Sequence, residues 1–337
     1  MFRRVLAAAL LLLLAVVLLI AAWPQLFGLQ RTSGLAQLIS FRGAMVVAAV
    51  GAMVVVGVAA ALNRPFRRLG ASIVLLLGVF AFVTVAVLAS RGLGNETFAA
   101  KSRSDLTVVS WNTLGGSPGA ATIATLALGS DADIVSLPET TKSTADAVAA
   151  LLKASGRPMS VHTLTFDRNY GSRSTSVLVS EDLGEYHLDK TAGSTSTVPT
   201  VVILPNDGHG PTIVAVHPIA PVEGEMRNWR SDLRWLSGAC DSKNVIMAGD
   251  FNATIDHLAG FVDKRGKTLG GCSDAGVQSG NGAVGTWPSS IPALAGASID
   301  HVMATANWRV TGMRVVTELD GTGSDHRPIV VQLHALG

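Results

Sequence analysis

Three apolar runs dominate the first 90 residues: 5–22, 44–62 and 70–90, of 18, 19 and 21 residues, none with a charged side chain. A helix that crosses the hydrocarbon core of a bilayer needs about 20 such residues. Burying three of them within a soluble domain would need far more polar chain than this stretch supplies. The runs are therefore predicted to be transmembrane helices. Up to Arg91 there is no Asp, Glu or Lys, and the only charges are Arg3, Arg4, Arg31, Arg42, Arg64, Arg67, Arg68 and Arg91.

The arginines imply an orientation. Arg3 and Arg4 precede the first run, and Arg64, Arg67 and Arg68 crowd the connector 63–69. The longer loop 23–43 has only Arg31 and Arg42. Positively charged loops stay in the cytoplasm. The N-terminus and the second connector are expected there, and everything after Ser90 outside, in a multi-pass plasma-membrane protein. The first run also has the form of a secretory leader, with Phe2-Arg3-Arg4 as its basic start. Its length favours an uncleaved anchor. A cleaved leader would leave two spans and the same external location.

The rest of the chain is of another kind. It carries all 24 acidic residues against 18 of the 26 Lys and Arg, a net charge of −6. Residues 91–104 mix Gly, Ser and charge without periodicity and are expected to be a linker. From 105 to 337, short β-rich runs alternate with a few helices. Strands are predicted over 106–111, 133–137, 174–180, 198–204, 211–216, 244–248, 297–304, 310–318 and 328–333. Helices are predicted over 120–128, 143–154 (capped by Ser143 or Thr144) and 225–238. This pattern suits stacked sheets with helices outside, in one large α/β (α+β) domain. Cys240 and Cys272 are the only cysteines. An oxidising exterior permits a disulfide between them, and two separate thiols are the alternative.

Polar residues gather where the strands end. The run 244–248 meets Gly249 and then delivers Asp250 and Asn252, two positions apart. Extended geometry would aim both into one space. A carboxylate that handles a water and an amide that holds a phosphate oxygen suit phosphoester hydrolysis. Other strands deliver Asn112, Glu139, His217, Asp300, and Asp325 with His326.

Six blocks in order resemble the endonuclease/exonuclease/phosphatase (DNase I-like) superfamily. They are Ser110-Trp111-Asn112-Thr113, Leu137-Pro138-Glu139-Thr140, Val216-His217-Pro218, Gly249-Asp250-Phe251-Asn252-Ala253, Ser298-Ile299-Asp300-His301-Val302 and Gly323-Ser324-Asp325-His326-Arg327-Pro328. The resemblance implies a four-layer sandwich of two packed β-sheets flanked by helices, with the site at one edge. It also implies that Glu139 and Asp325 hold Mg²⁺ or Mn²⁺, with Asn112 close by. These are hard oxygen donors, which suits Mg²⁺ better than zinc. Asp250 matches the residue that orients or deprotonates the attacking water, and Asn252 one that contacts phosphate. His217 and His326 are suited to meet developing negative charge, and Asp300 matches the carboxylate that orients His326.

Blander roles are expected elsewhere. His301 should face away from the site. His162, His187, His209 and His257 are expected at the surface. Gly115-Gly116 fits a turn, and Arg227, Arg230 and Arg234 fit a solvated helix face. Trp287 suits substrate stacking or core packing equally. The DNA-gripping residues of repair members have no clear counterpart; Tyr170 and Arg173 stand nearest.

The expected activity is hydrolysis of a phosphomono- or phosphodiester by in-line attack of water. A net charge of −6 is poorly suited to neutralising nucleic-acid phosphates. The outer location favours a lipid head group or another envelope or extracellular phosphoester, with a DNase I-like nuclease as the alternative. The other expected partner is the bilayer, and no segment points to a protein partner. A non-catalytic binding module would be expected had Glu139, Asp250, Asp325 or His326 been lost, and all four are present.

Overall fold

The protein is described from a computed structural model covering residues 1–241, 243–262 and 268–336. Gly337, the last residue of the expected catalytic segment, lies outside the described residues, as do 242 and 263–267.

Four helices come first: α1 (Phe2–Ala22), α2 (Leu35–Ser40), α3 (Arg42–Leu62) and α4 (Arg67–Arg91). The helices at Phe2–Ala22, Arg42–Leu62 and Arg64–Arg91 are long and apolar enough to cross a membrane. They pack through Ala21, Ala22, Ala49, Phe80 and Ala81, while Leu12, Val55 and Phe82 face outward. The short α2 was absent from the sequence expectation. Its six residues are too few for helical periodicity to show.

The second part runs β1 (Asp105–Ser110), α5 (Gly119–Gly129), β2 (Ile134–Pro138), α6 (Lys142–Ala154), β3 (Met159–Thr165), β4 (Ser174–Ser180), β5 (Tyr186–Leu188), β6 (Val201–Pro205) and β7 (Thr212–Val216). It continues through α7 (Met226–Ala239), β8 (Val245–Asp250), α8 (Ile255–Leu258), β9 (Cys272–Asp274), α9 (Ala275–Ser279), β10 (Asp300–Thr305), β11 (Trp308–Val315) and β12 (Ile329–Ala335). One sheet has the order β11-β12-β1-β2-β4-β3 and the other β5-β6-β7-β8-β10-β9. In each, one central pair is parallel, β1 with β2 and β7 with β8.

The sheets face each other across Val108, Ile134, Val177, Ile203, Ile246 and Ile329. The Ser136 hydroxyl donates to the Ala248 carbonyl at 2.7 Å and ties the two central strands together. On the outer face of the first sheet, α5 and α6 bury Ile123, Leu126, Val148 and Leu152. On the outer face of the second, α7 buries Trp229, Leu233 and Leu236. The result is four layers: helices, sheet, sheet, helix. α6 is capped by Thr141, which accepts from the Thr144 amide, rather than by Ser143 or Thr144. Cys240 and Cys272 are joined in a disulfide within the α7 layer.

The two parts are closely joined. The buried carboxylate of Asp256, in α8, is gripped by Arg42 at the start of α3 and by Arg91 at the end of α4, all four bonds being 2.7 or 2.8 Å. Arg42 also donates to the Ala22 carbonyl at the end of α1. The ends of all three long helices therefore meet at one acidic residue. A Cβ at Gly43 would overlap the Leu294 carbonyl oxygen, so only glycine allows α3 this approach. Residues 92–104 have no regular structure but do not hang free. The Ala99 amide donates to the Thr311 carbonyl, and Asn281 bonds to Asn95 at both its amide and its carbonyl.

Candidate active site

The site is built where strand ends of the two sheets converge. β1 leads to Asn112, β2 to Glu139, β7 to His217 and β8 to Asp250, while Asp300 opens β10 and Asp325 and His326 precede β12. At Gly249 a Cβ would overlap the Val216 carbonyl oxygen, which explains the glycine before Asp250. Glu139 and Asn252 adopt left-handed φ angles of 54° and 46°, as does Leu114 at 47°. Such backbone is uncommon for residues other than glycine and is held by its surroundings. All three line one cleft of about 510 Å³, which also contains His217, Asp250, Asp325 and His326.

His326 is the electrostatic centre. Its Nδ1 lies 2.8 Å from Asp300 Oδ2 and its Nε2 3.7 Å from Asp250 Oδ2. Burial opposes a charge on this ring, but Asp300 and Asp250 outweigh it and raise its pKa well above the ordinary value. Burial raises Asp250 in turn, against the pull of His326. Asn112 Nδ2 bridges Asp250 Oδ2 and Glu139 Oε1, each at 3.0 Å, and the Asn252 amide donates to Asp250 Oδ1 at 2.7 Å. Burial raises Glu139, relieved in part by Asn112. His217 behaves oppositely to His326: burial, helped by the charge on His326, pushes it down to about 3. The two imidazoles are thus shifted in opposite directions.

The donor set fits a hard cation. Asp325 accepts from Trp287 Nε1 at 2.8 Å through Oδ2, whereas its Oδ1 is buried with no partner. Glu139 lies close enough for the Asp325 charge to help raise it. A divalent ion between these carboxylates would satisfy both. Asp250, Asp300 and His326 also place ligand atoms within 4.8 Å of one another. In that group His326 Nδ1 is already engaged by Asp300, whereas Asp325 Oδ1 is unpartnered, so Glu139 and Asp325, beside Asn112, are the better seat.

Residues 109–326 match the endonuclease/exonuclease/phosphatase family. The chain belongs to this family. Among solved structures it is similar to the endonuclease/exonuclease/phosphatase from Beutenbergia cavernae DSM 12333 (18% identity, TM-score 0.52, covering 70% of this chain and 72% of that one). It is also similar to D. rerio TDP2 complexed with single strand DNA product (17%, 0.52, 69% and 100%). A third is the family protein from Leptotrichia buccalis C-1013-b (14%, 0.51, 68% and 99%). At these identities the likeness is one of fold. No match is found among curated protein sequences.

All eight residues singled out from the family blocks belong to this one region, with Asp300 reaching it through His326. Two expectations need correction. Asn252 is left-handed rather than extended, so its backbone amide, not its side chain, meets Asp250, while its Nδ2 donates to the Pro218 carbonyl at 2.9 Å. His257 is fully buried rather than at the surface: Nδ1 accepts from the Thr254 amide and Nε2 donates to the Ala36 carbonyl. His162 is half-buried, and His187 and His209 are exposed. His301 does face away, with Nδ1 2.8 Å from Asp274. Arg230 leaves the solvated face to donate to the Arg31 carbonyl.

Three contributors were not singled out for these roles. Trp287 supports Asp325 directly. Arg327 is buried and bonds the carbonyls of Gly285, Ser289 and Ile291, thereby holding the loop that carries Trp287. Gln37, Ser40 and Phe41, from before the second long helix, line the cleft. Arg327 lies within a family block and Trp287 eleven positions before one, whereas 37–41 are far from any.

Proposed function

We propose that this chain is a membrane-anchored, Mg²⁺- or Mn²⁺-dependent phosphoesterase. Its substrate is a lipid head group or another envelope or extracellular phosphoester. The observation that carries this reading is His326 set between Asp250 and Asp300, beside a pair of carboxylates with an unpaired buried oxygen.

Glu139 and Asp325 would hold the metal, with Asn112 fixing Glu139. When bound, the ion supplies charge stabilisation to a phosphoryl oxygen and to the leaving oxygen. Asp250 orients the attacking water and takes its proton; burial makes this carboxylate basic enough to do so. Asp300 fixes the His326 ring through Nδ1, which leaves Nε2 to meet negative charge developing on the phosphoryl group. Asn252 keeps one amide hydrogen for a phosphate oxygen, and His217 lines the same space as a neutral imidazole.

The three long helices act as spans, with Arg3, Arg4, Arg64, Arg67 and Arg68 cytoplasmic and the catalytic part, 105–337, outside. In support, those arginines belong to the helix ends opposite Asp256. An extracellular nuclease is the second reading, favoured by the fold shared with D. rerio TDP2 complexed with single strand DNA product. Against it, Arg173 is the sole Lys or Arg among the described residues lining the cleft.

The test uses the full chain in phospholipid nanodiscs with Mg²⁺ or Mn²⁺. Bis-p-nitrophenyl phosphate, plasmid DNA and phospholipid are offered in parallel. Turnover of the first or third, abolished by Asp250→Asn and by His326→Ala, is the expected result. No turnover of any substrate removes the enzymatic reading, and turnover of DNA alone selects the nuclease.

A further inference from the structure

The cleft has an unusual builder. Gln37, Ser40 and Phe41 come from the segment between the first two long helices, more than 70 residues before the nearest site residue, Asn112. Phe41 is the residue immediately before α3. Its ring lies 5.8 Å from that of Trp287, and Trp287 lies 6.4 Å from His326. The start of a span-length helix is therefore two ring contacts from the catalytic imidazole. Across the cleft stand Ile219, Pro221 and Val222, which follow His217. Gln37 Nε2 donates to the Pro221 carbonyl and joins the two walls.

We propose that residues 37–41 form a specificity wall of the active site, and that the site takes a phosphoester whose alcohol is a lipid, with the apolar chain lying along Phe41 and Val222. This rests on the phosphoesterase reading above and names its substrate class. Lipid phosphates lie in a layer a few ångströms thick just outside the hydrocarbon core, where transmembrane helices end. A site two rings from such an end reaches that layer without drawing the lipid out. The neighbouring surface suits the same depth: Trp23, Leu26, Phe27 and Leu38, all between α1 and α3, are exposed apolar residues. The segment is fixed in place. Arg31 donates to the carbonyls of His257 and Ala259, Gln25 and Arg42 bond to Asp256, and His257 bonds to Ala36.

Binding of methylphosphonate and octylphosphonate, which are not hydrolysed, tests this directly. Titration calorimetry would use the full chain in nanodiscs with Mg²⁺, with empty nanodiscs as reference. Each methylene that enters an apolar wall strengthens binding about two- to fourfold, so octylphosphonate should bind about 50-fold or more tightly than methylphosphonate. Phe41→Ala should lower that ratio about tenfold or more. Val222→Ser, at a residue 52% exposed, should lower it too and serves where Phe41→Ala fails to fold. A ratio near one in the unaltered chain, or a ratio unmoved by both variants, overturns the wall. Hydrolysis of bis-p-nitrophenyl phosphate is followed on the same samples. Its absence would count against the phosphoesterase reading alone, since the phosphonate ratio is read without turnover.

Discussion

Asp250 and Asp300 are register partners on the antiparallel strands β8 and β10, and the imidazole of His326 lies between their carboxylates. One is the base in the proposed reaction and the other the orienting group. Asp300→Asn should lower kcat on bis-p-nitrophenyl phosphate about 10²–10⁴-fold, with a smaller effect on KM. An unchanged kcat would remove Asp300 from the machinery.

Trp287 supports Asp325 through a single hydrogen bond to Oδ2. Trp287→Phe keeps the ring and deletes the donor. Groups that orient a metal ligand typically contribute 10- to 100-fold in affinity. The Mg²⁺ concentration for half-maximal activity should rise by about that factor, with kcat at saturating Mg²⁺ changed far less. An unaltered Mg²⁺ dependence would argue against Asp325 as a ligand.

Asp256 is 1% exposed and is the counter-ion shared by Arg42, itself 3% exposed, and Arg91. Removing one member of a buried ionic cluster costs about 3–5 kcal/mol, because it strands the remaining charges. Asp256→Ala should lower the thermal midpoint of the full chain by several degrees. A fragment beginning at 92 loses Arg31, Arg42 and Arg91 together. It should show the same loss, along with a cleft missing one wall.

His257 gives a pH dependence. Burial pushes its pKa down to about 4, so it is neutral in the fold at pH 7. An unfolded chain takes up this proton near the ordinary value of about 6.5. Its contribution is therefore full above about pH 6.5 and declines as pH falls toward 4, by on the order of 3 kcal/mol in all. Asp256, which bonds to Arg91 and Arg42 hold below the usual carboxylate range in spite of burial, acts in the same direction as pH falls below about 4. Thermal midpoints from pH 7 to 4 should fall in the unaltered chain and fall less steeply in His257→Gln. Parallel slopes would rule out His257 as the source.

The disulfide Cys240–Cys272 spans 32 residues and joins the end of α7 to β9. A link of this length contributes about 2–4 kcal/mol, chiefly by restricting the unfolded chain. The double variant Cys240→Ala, Cys272→Ala should unfold at correspondingly lower denaturant concentration, with kcat unchanged. Equal midpoints would mean that the packing around the pair suffices without the bond.

The site was legible in the sequence because each strand sets down its polar residue at its own end, within a short block. The layers were legible for a similar reason: β2, β7 and β8 are largely apolar runs bounded by turns, and β1 and β4 are short β-rich runs. β3, β5 and β9 were not: β5 and β9 have three residues each, too few for periodicity, and β3 (Met159–Thr165) mixes polar with apolar residues and is mostly half-buried. Nor was the role of Asp256, because nothing adjacent to an acidic residue in a four-residue helix reveals two arginines 214 and 165 positions away. The left-handed Asn252 was hidden differently. Asparagine tolerates that conformation, and bonds to Asp250, Pro218 and Trp229, remote from it in the chain or invisible in the motif, accompany it. The pairing of Phe41 with Trp287 is a property of two parts brought together, which a reading of each part alone does not contain.

The meeting of helix ends at Asp256 also sets an order of events in the making of the chain. Arg42 and Arg91 are synthesised 214 and 165 residues ahead of the carboxylate they hold. Through that interval the helical bundle carries two cations without their native counter-ion. They find it only after most of the catalytic part has been made and has begun to fold. A chain that ends before α8 lacks the carboxylate, and Arg42 and Arg91 are then left without the counter-ion they share.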